Sequence, residues 1–326
     1  MSKTLKILSR PKGNAEEYGR WSVNPYIGCS HGCLYCYLKK GPSGAYLGQD
    51  KPVLKKGVVN DKHAFHLAMA EIIEHRDEII RDGGLFMTFT SDPCAPETRP
   101  LFFHITSNAI QLGIPVTMLT KNSDFFQYPT MMAMIEDSKH LMSMPDKGER
   151  VMLNGSTFCT WLGDMHQHLV KPLVAFGWTL TGHDELEPNA SPNAERIATM
   201  KRMADSGFKV WASIEPVITF PAALDMVYQA VNAGCRHFKI GLLTNNTRLV
   251  RKDFEFGEHH FDAYKVNDCL HFIEDVMRLT DGKATVYWKQ SVRDLLETIY
   301  TPAAVDELLN YPHSVGKDWS MFKKED

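Results

Sequence analysis

Short apolar, β-prone runs recur along this 326-residue chain, each followed by a helical stretch, and that alternation limits the fold more than any other feature. Trp21–Tyr26, Leu85–Thr90, Ile114–Thr120, Val174–Thr181, Phe208–Ile214 and His237–Leu242 read as strands. Helices are expected over His63–Arg81, Pro100–Leu112, Ser191–Gly207 and Ala222–Ala233. Two more are expected near 262–279 and 290–299, on either side of an apolar Ala284–Trp288. A parallel strand pair needs a crossover of about a dozen residues or more, usually a helix, so the pattern predicts parallel βα units. Its pace suits a barrel, and βα barrels gather their chemistry at the C-terminal ends of the strands.

One interval breaks the pace. Between Lys121 and Thr179 lie 57 residues, more than a crossover needs. Methionines at 131, 132, 134, 142, 144 and 152 crowd this stretch, and Met165 follows. It reads as an amphipathic helical insertion whose methionines pack in its own core, or as a lid over a site, since methionine adapts to varied surfaces.

The chemistry concentrates in Asn24–Tyr37, where Cys29, Cys33 and Cys36 are spaced Cys-x3-Cys-x2-Cys. No fourth cysteine or close Cys/His pair completes a tetrahedral zinc site. Three soft thiolates on a short loop suit an iron–sulfur cluster, and three on a four-iron cluster leave one iron open. Gly28 and Gly32 let the loop turn tightly enough for the sulfurs to converge.

Composition fits an ordinary enzyme, with 44% hydrophobic and 23% charged residues. No run approaches the ~20 apolar residues of a membrane span, and Met1–Lys6 lacks the apolar core of a signal peptide. Seven cysteines, three of them in one motif, suggest a reducing compartment, so a cytoplasmic protein is expected. Residues 1–62 carry eleven Lys/Arg against four Asp/Glu, a balance of +7, which leaves −10 for the rest of a chain at −3. Lys39, Lys40, Lys55 and Lys56 would attract a phosphate-bearing substrate, or are simply solvated.

The cysteine spacing is the signature of the radical S-adenosylmethionine (SAM) superfamily. Asn24-Pro-Tyr26 before the cysteines and Tyr35-Cys-Tyr37 at the end resemble its spore photoproduct lyase-like branch. Thr90–Glu97, Leu119–Lys121 and Thr179–Ile218 resemble that branch's strand-end motifs, so the likeness covers most of residues 20–220. The resemblance implies a partial (β/α)6 TIM-type barrel with an insertion between strands three and four and a C-terminal helical extension. On that basis residues 1–20 form an N-terminal arm, 21–245 the core with 122–173 inserted, and 246–326 the extension.

The same resemblance implies a [4Fe–4S] cluster on Cys29, Cys33 and Cys36, with SAM on the open iron. An electron from a carrier such as a flavodoxin or ferredoxin would cleave SAM to a 5′-deoxyadenosyl radical that takes hydrogen from the substrate. Tyr35 occupies the position of the aromatic against adenine, and Ser91 and Lys121 stand where the branch contacts SAM. Asp92 and Thr179 are further candidates for SAM contacts, and Glu97 is either a site carboxylate or a helix-start charge. Glu215 ranks above Glu187 as a catalytic candidate, because a carboxylate at a strand end over the barrel mouth needs a partner. Lyase-type members place a hydrogen-donating cysteine where this chain has Phe89. Its nearest thiol is Cys94, which is either a catalytic donor at the cavity mouth or a small buried hydrophobe.

These readings converge on a radical SAM enzyme acting on a nucleic-acid base or nucleotide. A radical enzyme modifying a peptide or small metabolite is one alternative, and a non-enzymatic iron–sulfur redox or sensing protein is another.

Overall fold

The computed structural model describes residues 5–127, 150–153, 156–159, 171–243, 253–317 and 320–322. Its centre is one eight-stranded sheet. In chain order the strands are β1 (Leu8–Ser9), β2 (Ser22–Val23), β3 (Leu85–Met87), β4 (Val116–Thr120), β5 (Val174–Thr179), β6 (Lys209–Val217), β7 (His237–Leu242) and β8 (Thr285–Trp288). Spatial order equals chain order. β1 pairs antiparallel with β2, and every later pair is parallel. β1 and β8 are the two ends and do not pair with each other, so the sheet is open.

The crossovers are α1 (Asp61–Glu74), α2 (Arg99–Gln111), α3 (Asn193–Asp205), α4 (Phe220–Asn232) and α5 (Val266–Thr280), with α6 (Gln290–Leu296) after β8. The expected helix to Arg81 breaks at His75 into α1 and a second short helix, Arg76–Arg81. Asn60 caps α1 by accepting from His63 N at 2.9 Å. The core lies between the sheet and these helices. Strands β5 and β7 are buried along their whole length, as a parallel sheet covered on both faces requires.

Two expected strands are shorter than their apolar runs. β2 stops at Val23 because Asn24-Pro25 interrupts it, and Tyr26–Ile27 turns off to pair antiparallel with Val53–Leu54. β3 stops at Met87 because Thr88 takes a left-handed conformation at φ 62°. The Asn24 side chain holds that bend, its Oδ1 accepting from Phe89 N at 2.8 Å and from Thr88 Oγ1 at 3.2 Å.

The C-terminal stretch carries more sheet than its helical pattern suggested. Ala284–Trp288, expected only as an apolar link, supplies β8, the seventh strand running in the parallel direction. The sheet's open side is bridged by the N-terminal arm. Glu17 Oε1 accepts from Tyr287 Oη at 2.9 Å and from Gln290 N at 2.8 Å, next to β8, while the chain just after it enters β2.

Within the insertion, the described residues include a short 3-10 turn, Asp124–Gln127, and an antiparallel hairpin, Arg150–Leu153 with Ser156–Cys159, where helix was expected. Met131, Met132, Met134, Met142, Met144 and Met165 lie outside the described residues.

Candidate active site

The cysteine loop is clamped from two directions. On one side Cys29 N donates to Gln49 O at 3.1 Å. A Cβ on Gly28, at φ +85°, would meet Gln49 and Lys51 at 2.6 Å, so only glycine lets the two strands approach. On the other side Leu34 N donates to Leu186 O at 2.9 Å and Asn189 N to His31 O at 3.1 Å. Residues nearly 160 positions away therefore shape the loop.

Asp92 ties that loop to the strand ends. Its Oδ2 lies 2.8 Å from His31 Nε2 and accepts from Lys121 N at 2.9 Å. Its Oδ1 accepts from Thr120 Oγ1 at 2.7 Å and Cys94 N at 2.8 Å. Burial by itself would raise the pKa of this carboxyl, but the His31 charge and these hydrogen bonds outweigh it and hold the pKa down at about 2. Asp92 is thus a buried anion that serves as a structural hub.

A cavity of about 510 Å³ opens beside the loop. Cys29, Cys33 and Cys36 line it, together with Tyr35, Ser91, Asp92, Lys121, Thr179 and Glu215. Most of these sit at or just past the C-terminal ends of β3, β4, β5 and β6, where the topology gathers chemistry. Burial pushes the Cys29 and Cys33 thiols upward. Ser91 Oγ is buried with no hydrogen-bond partner among the described residues, which is a polar atom waiting for a ligand.

Behind Tyr35 lies a buried charge network. Its hydroxyl donates to Glu187 Oε1, and Arg196 Nη2 meets Glu187 Oε2 at 2.5 Å, with 0% and 1% of the two charged side chains exposed. Arg196 also donates to Thr179 O at 2.8 Å and Ser191 O at 2.6 Å, so all three nitrogens of its guanidinium are engaged. Lys121 Nζ stands 4.0 Å from Glu187 and 5.4 Å from the centre of the Tyr35 ring. Burial works against the Lys121 charge, but Cys33 and Glu187 prevail and its pKa is raised. The ammonium therefore stays charged at the cavity wall.

A second charged group lines the same cavity. Glu215 Oε2 is 2.5 Å from Lys289 Nζ and accepts from Tyr18 Oη, which also sits 2.8 Å from Ser213 Oγ. Lys289 Nζ further reaches Glu17 at 3.3 Å and lies 4.3 Å from the centre of the Tyr18 ring. The partner that Glu215 was expected to need is Lys289, contributed from beyond β8.

Cys94 and Glu97 are the sequence candidates that the fold leaves outside. Cys94 is fully buried, does not line the cavity, and has its thiol pushed up by burial. The reason is local: Asp92 captures Cys94 N, which turns the chain into the core after Pro93. Glu97 is exposed on the approach to α2. Glu187, ranked below Glu215, proves to be the buried partner of Tyr35 and Arg196.

Sequence reasoning missed His31, Arg196, Tyr18 and Lys289. His31 had a signal, since it lies between two of the loop cysteines, and Arg196 falls on the first turn of α3, nine positions from a buried carboxylate. Tyr18 is 195 positions from Ser213 and gave none. His260 meets two carboxylates in the fold, Asp253 at 3.6 Å and Glu255 at 3.4 Å, all three exposed.

An open, largely parallel βα sheet with a three-cysteine loop and a ligand-sized cavity at its strand ends defines the class of protein. No family model matches the chain, and no curated protein matches it. Solved structures of spore photoproduct lyase do share its fold. A cysteine-to-alanine mutant of that lyase is 15% identical with a TM-score of 0.52, covering 89% of this chain and 81% of that one. The lyase complexed with dinucleoside spore photoproduct gives 16%, 0.50, 89% and 81%. A double mutant with bound AdoMet and dinucleoside spore photoproduct gives 16%, 0.52, 88% and 80%. At such identity the likeness is one of fold. Among the described residues no helix is long and apolar enough to cross a membrane.

Proposed function

We propose that this chain is a radical SAM enzyme whose cavity takes SAM and a substrate bearing a nucleic-acid base. The observation that carries the reading is that Cys29, Cys33 and Cys36 share one cavity with Tyr35, Ser91 and Lys121. The donor set fits both groups: three thiols lining one cavity for a [4Fe–4S] cluster, and for SAM an orphaned hydroxyl on Ser91 and a charged ammonium on Lys121. When bound, the cluster and SAM would supply one-electron cleavage and a 5′-deoxyadenosyl radical for hydrogen abstraction.

The chain's own residues then have separable roles. Lys121 pairs with a carboxylate, and Ser91 offers a hydrogen bond. Glu187 holds Tyr35 in place, and Arg196 neutralises Glu187 so that the acid does not compete for Lys121. Phe86, Phe89, Leu119, Leu242 and Leu243 line the cavity with apolar surface that keeps water out. Glu215 and Lys289 offer an acceptor and a donor side by side, suited to a base edge that presents both. In the neighbouring lyase structures a dinucleoside spore photoproduct is bound, which supports the same substrate class here. Cys94, outside the cavity, has no hydrogen-donor role in this reading.

Anaerobic reconstitution tests the reading. It should yield about four iron and four sulfide per chain, with Cys29→Ala, Cys33→Ala and Cys36→Ala each holding markedly less. Reduced protein plus SAM should release 5′-deoxyadenosine, and deuterium-labelled oligonucleotides or nucleotides should pass deuterium into it. Zinc in place of a cluster would overturn the enzyme reading. Deuterium transfer from peptides alone would overturn the substrate.

A further inference from the structure

The basic, partly apolar layer at 39–59 lies over the cysteine loop yet takes no part in the cavity. None of these residues lines it. The five lysines at 39–59 are therefore not arranged around the cavity, and their concentration calls for another account. The layer is held onto the loop at several points. Cys29 N bonds Gln49 O at 3.1 Å, Val53 pairs with Ile27, Lys39 meets Asp50 at 2.6 Å, and Gly48 packs against the backbone of Leu38 and Lys39. The backbone of this layer is in direct hydrogen-bond contact with that of Cys29, through Gln49 O.

Its surface has an unusual composition. Between residues 34 and 59 there are five lysines and one aspartate, a balance of +4 on a chain whose net charge is −3. Interspersed among them are large exposed apolar side chains: Leu34 at 43%, Tyr46 at 47%, Val53 at 45% and Val59 at 78%. Leu34 belongs to the cysteine loop itself. Scattered exposed apolar residues are ordinary, but four within one short segment ringed by like charges have the make-up of a small interface with a polar rim.

We propose that this layer is the docking surface for an acidic one-electron carrier protein that reduces the bound cluster. The inference rests on the cluster reading above and adds to it the partner and its place of contact. An electron must reach the cluster from outside, and the thin layer is a short way in that leaves the cavity clear for substrate. Complementary charge speeds encounter and orients the pair, while a weak, small interface allows the carrier to leave after each transfer. A nucleic-acid strand would meet the same positive charge. However, it would leave Leu34, Val53 and Val59 without apolar partners, and its reacting base would have to reach a cavity that these residues do not line.

The test uses the exposed lysines Lys51 and Lys56, which make no contact in the cavity. Binding of oxidised flavodoxin, an acidic carrier, is measured by flavin anisotropy on the reconstituted full chain at low and high salt. A Lys51→Glu/Lys56→Glu protein should bind about tenfold more weakly, a Lys51→Gln/Lys56→Gln protein should fall between, and the wild-type affinity should drop as salt rises. Reduction of the cluster by dithionite should be the same in all three. Equal flavodoxin affinity in wild type and charge-reversed protein overturns the proposal. So does a loss of affinity confined to a double-stranded DNA oligomer, which would make this a nucleic-acid surface. Failure of the cluster reading is separate and visible, as missing iron and sulfide in the same preparation.

Discussion

His31 Nε2 lies 2.8 Å from Asp92 Oδ2, joining the cysteine loop to the end of β3 through two side chains that are both almost wholly buried. The loop is short of regular structure, and its shape is imposed by partners from elsewhere in the fold. This explains why a fold with little sequence likeness to other proteins still positions three sulfurs on one cavity. The loop's geometry depends on Asp92, Gln49, Leu186 and Asn189, which sequence similarity over the loop itself would not reveal.

Asp92→Asn should be costly. The amide keeps the shape but loses the charge that faces His31, and whichever way it is turned its NH2 group faces a backbone N–H that now donates, Lys121 N on one side or Cys94 N on the other. Breaking one partner of a buried charged pair costs about 3–5 kcal/mol. Urea denaturation should register a loss of that order, and the reconstituted variant should hold less iron although every cysteine is intact. Wild-type stability with wild-type iron content would remove Asp92 as the hub.

Arg196→Met tests the network behind Tyr35. It leaves the Glu187 carboxylate buried beside Lys121 as its nearest remaining cation. A stability loss of about 3–5 kcal/mol is expected. Lys121, drawn toward Glu187, should also bind SAM more weakly, as read by equilibrium dialysis. The Arg196→Met/Glu187→Leu double variant should recover much of the stability and, with no acid left to draw Lys121 away, part of the SAM affinity. A double variant no more stable than the single one would contradict this.

Gly177 on β5 faces the indole of Trp211 on β6, and a Cβ there would overlap the ring. Trp211 is fully buried and the backbone has no slack on either side of it. Gly177→Ala should therefore destabilise by about 2–3 kcal/mol, an overpacking cost. Combining it with Trp211→Phe should restore part of that loss in a double-mutant cycle. Additive penalties would mean that the two residues do not compete for the same space.

Lys239 gives a pH signature. Burial, aided by the Lys289 charge, drops its pKa from 10.5 to about 7. Between those values the unfolded chain holds a proton that the folded chain has given up, so stability attributable to Lys239 rises with pH from about 7 to 10.5. Below pH 7 both states are charged and the full burial penalty applies. Denaturation at pH 7 and pH 9 should place Lys239→Met ahead of wild type by more at the lower pH. A difference independent of pH would show that Lys239 keeps its charge when folded.

The alternation of apolar runs and helical stretches was sufficient to predict a parallel α/β sheet, because a parallel pair cannot form without a crossover and the chain supplies crossovers of the right length. The grouping of Cys29, Cys33 and Cys36 was likewise readable, since cysteines this close in sequence stay close in space under any fold, and all three line the cavity. Lys121, Thr179 and Ser91 were singled out through the family resemblance, and the fold places all three on the cavity. The limits of β2 and β3 were not, because Asn24 and Thr88 decide them through a contact 64 positions long. Nor could sequence tell that Cys94 turns inward while Ser91 stays at the cavity, as a capture of Cys94 N by Asp92 makes the difference. Glu215 was legible as a carboxylate in need of a partner, but Tyr18 and Lys289 reach it from opposite ends of the chain. Local propensity and periodicity act over a few residues, whereas a buried charge takes whichever opposite charge or donor the folded sheet brings within reach.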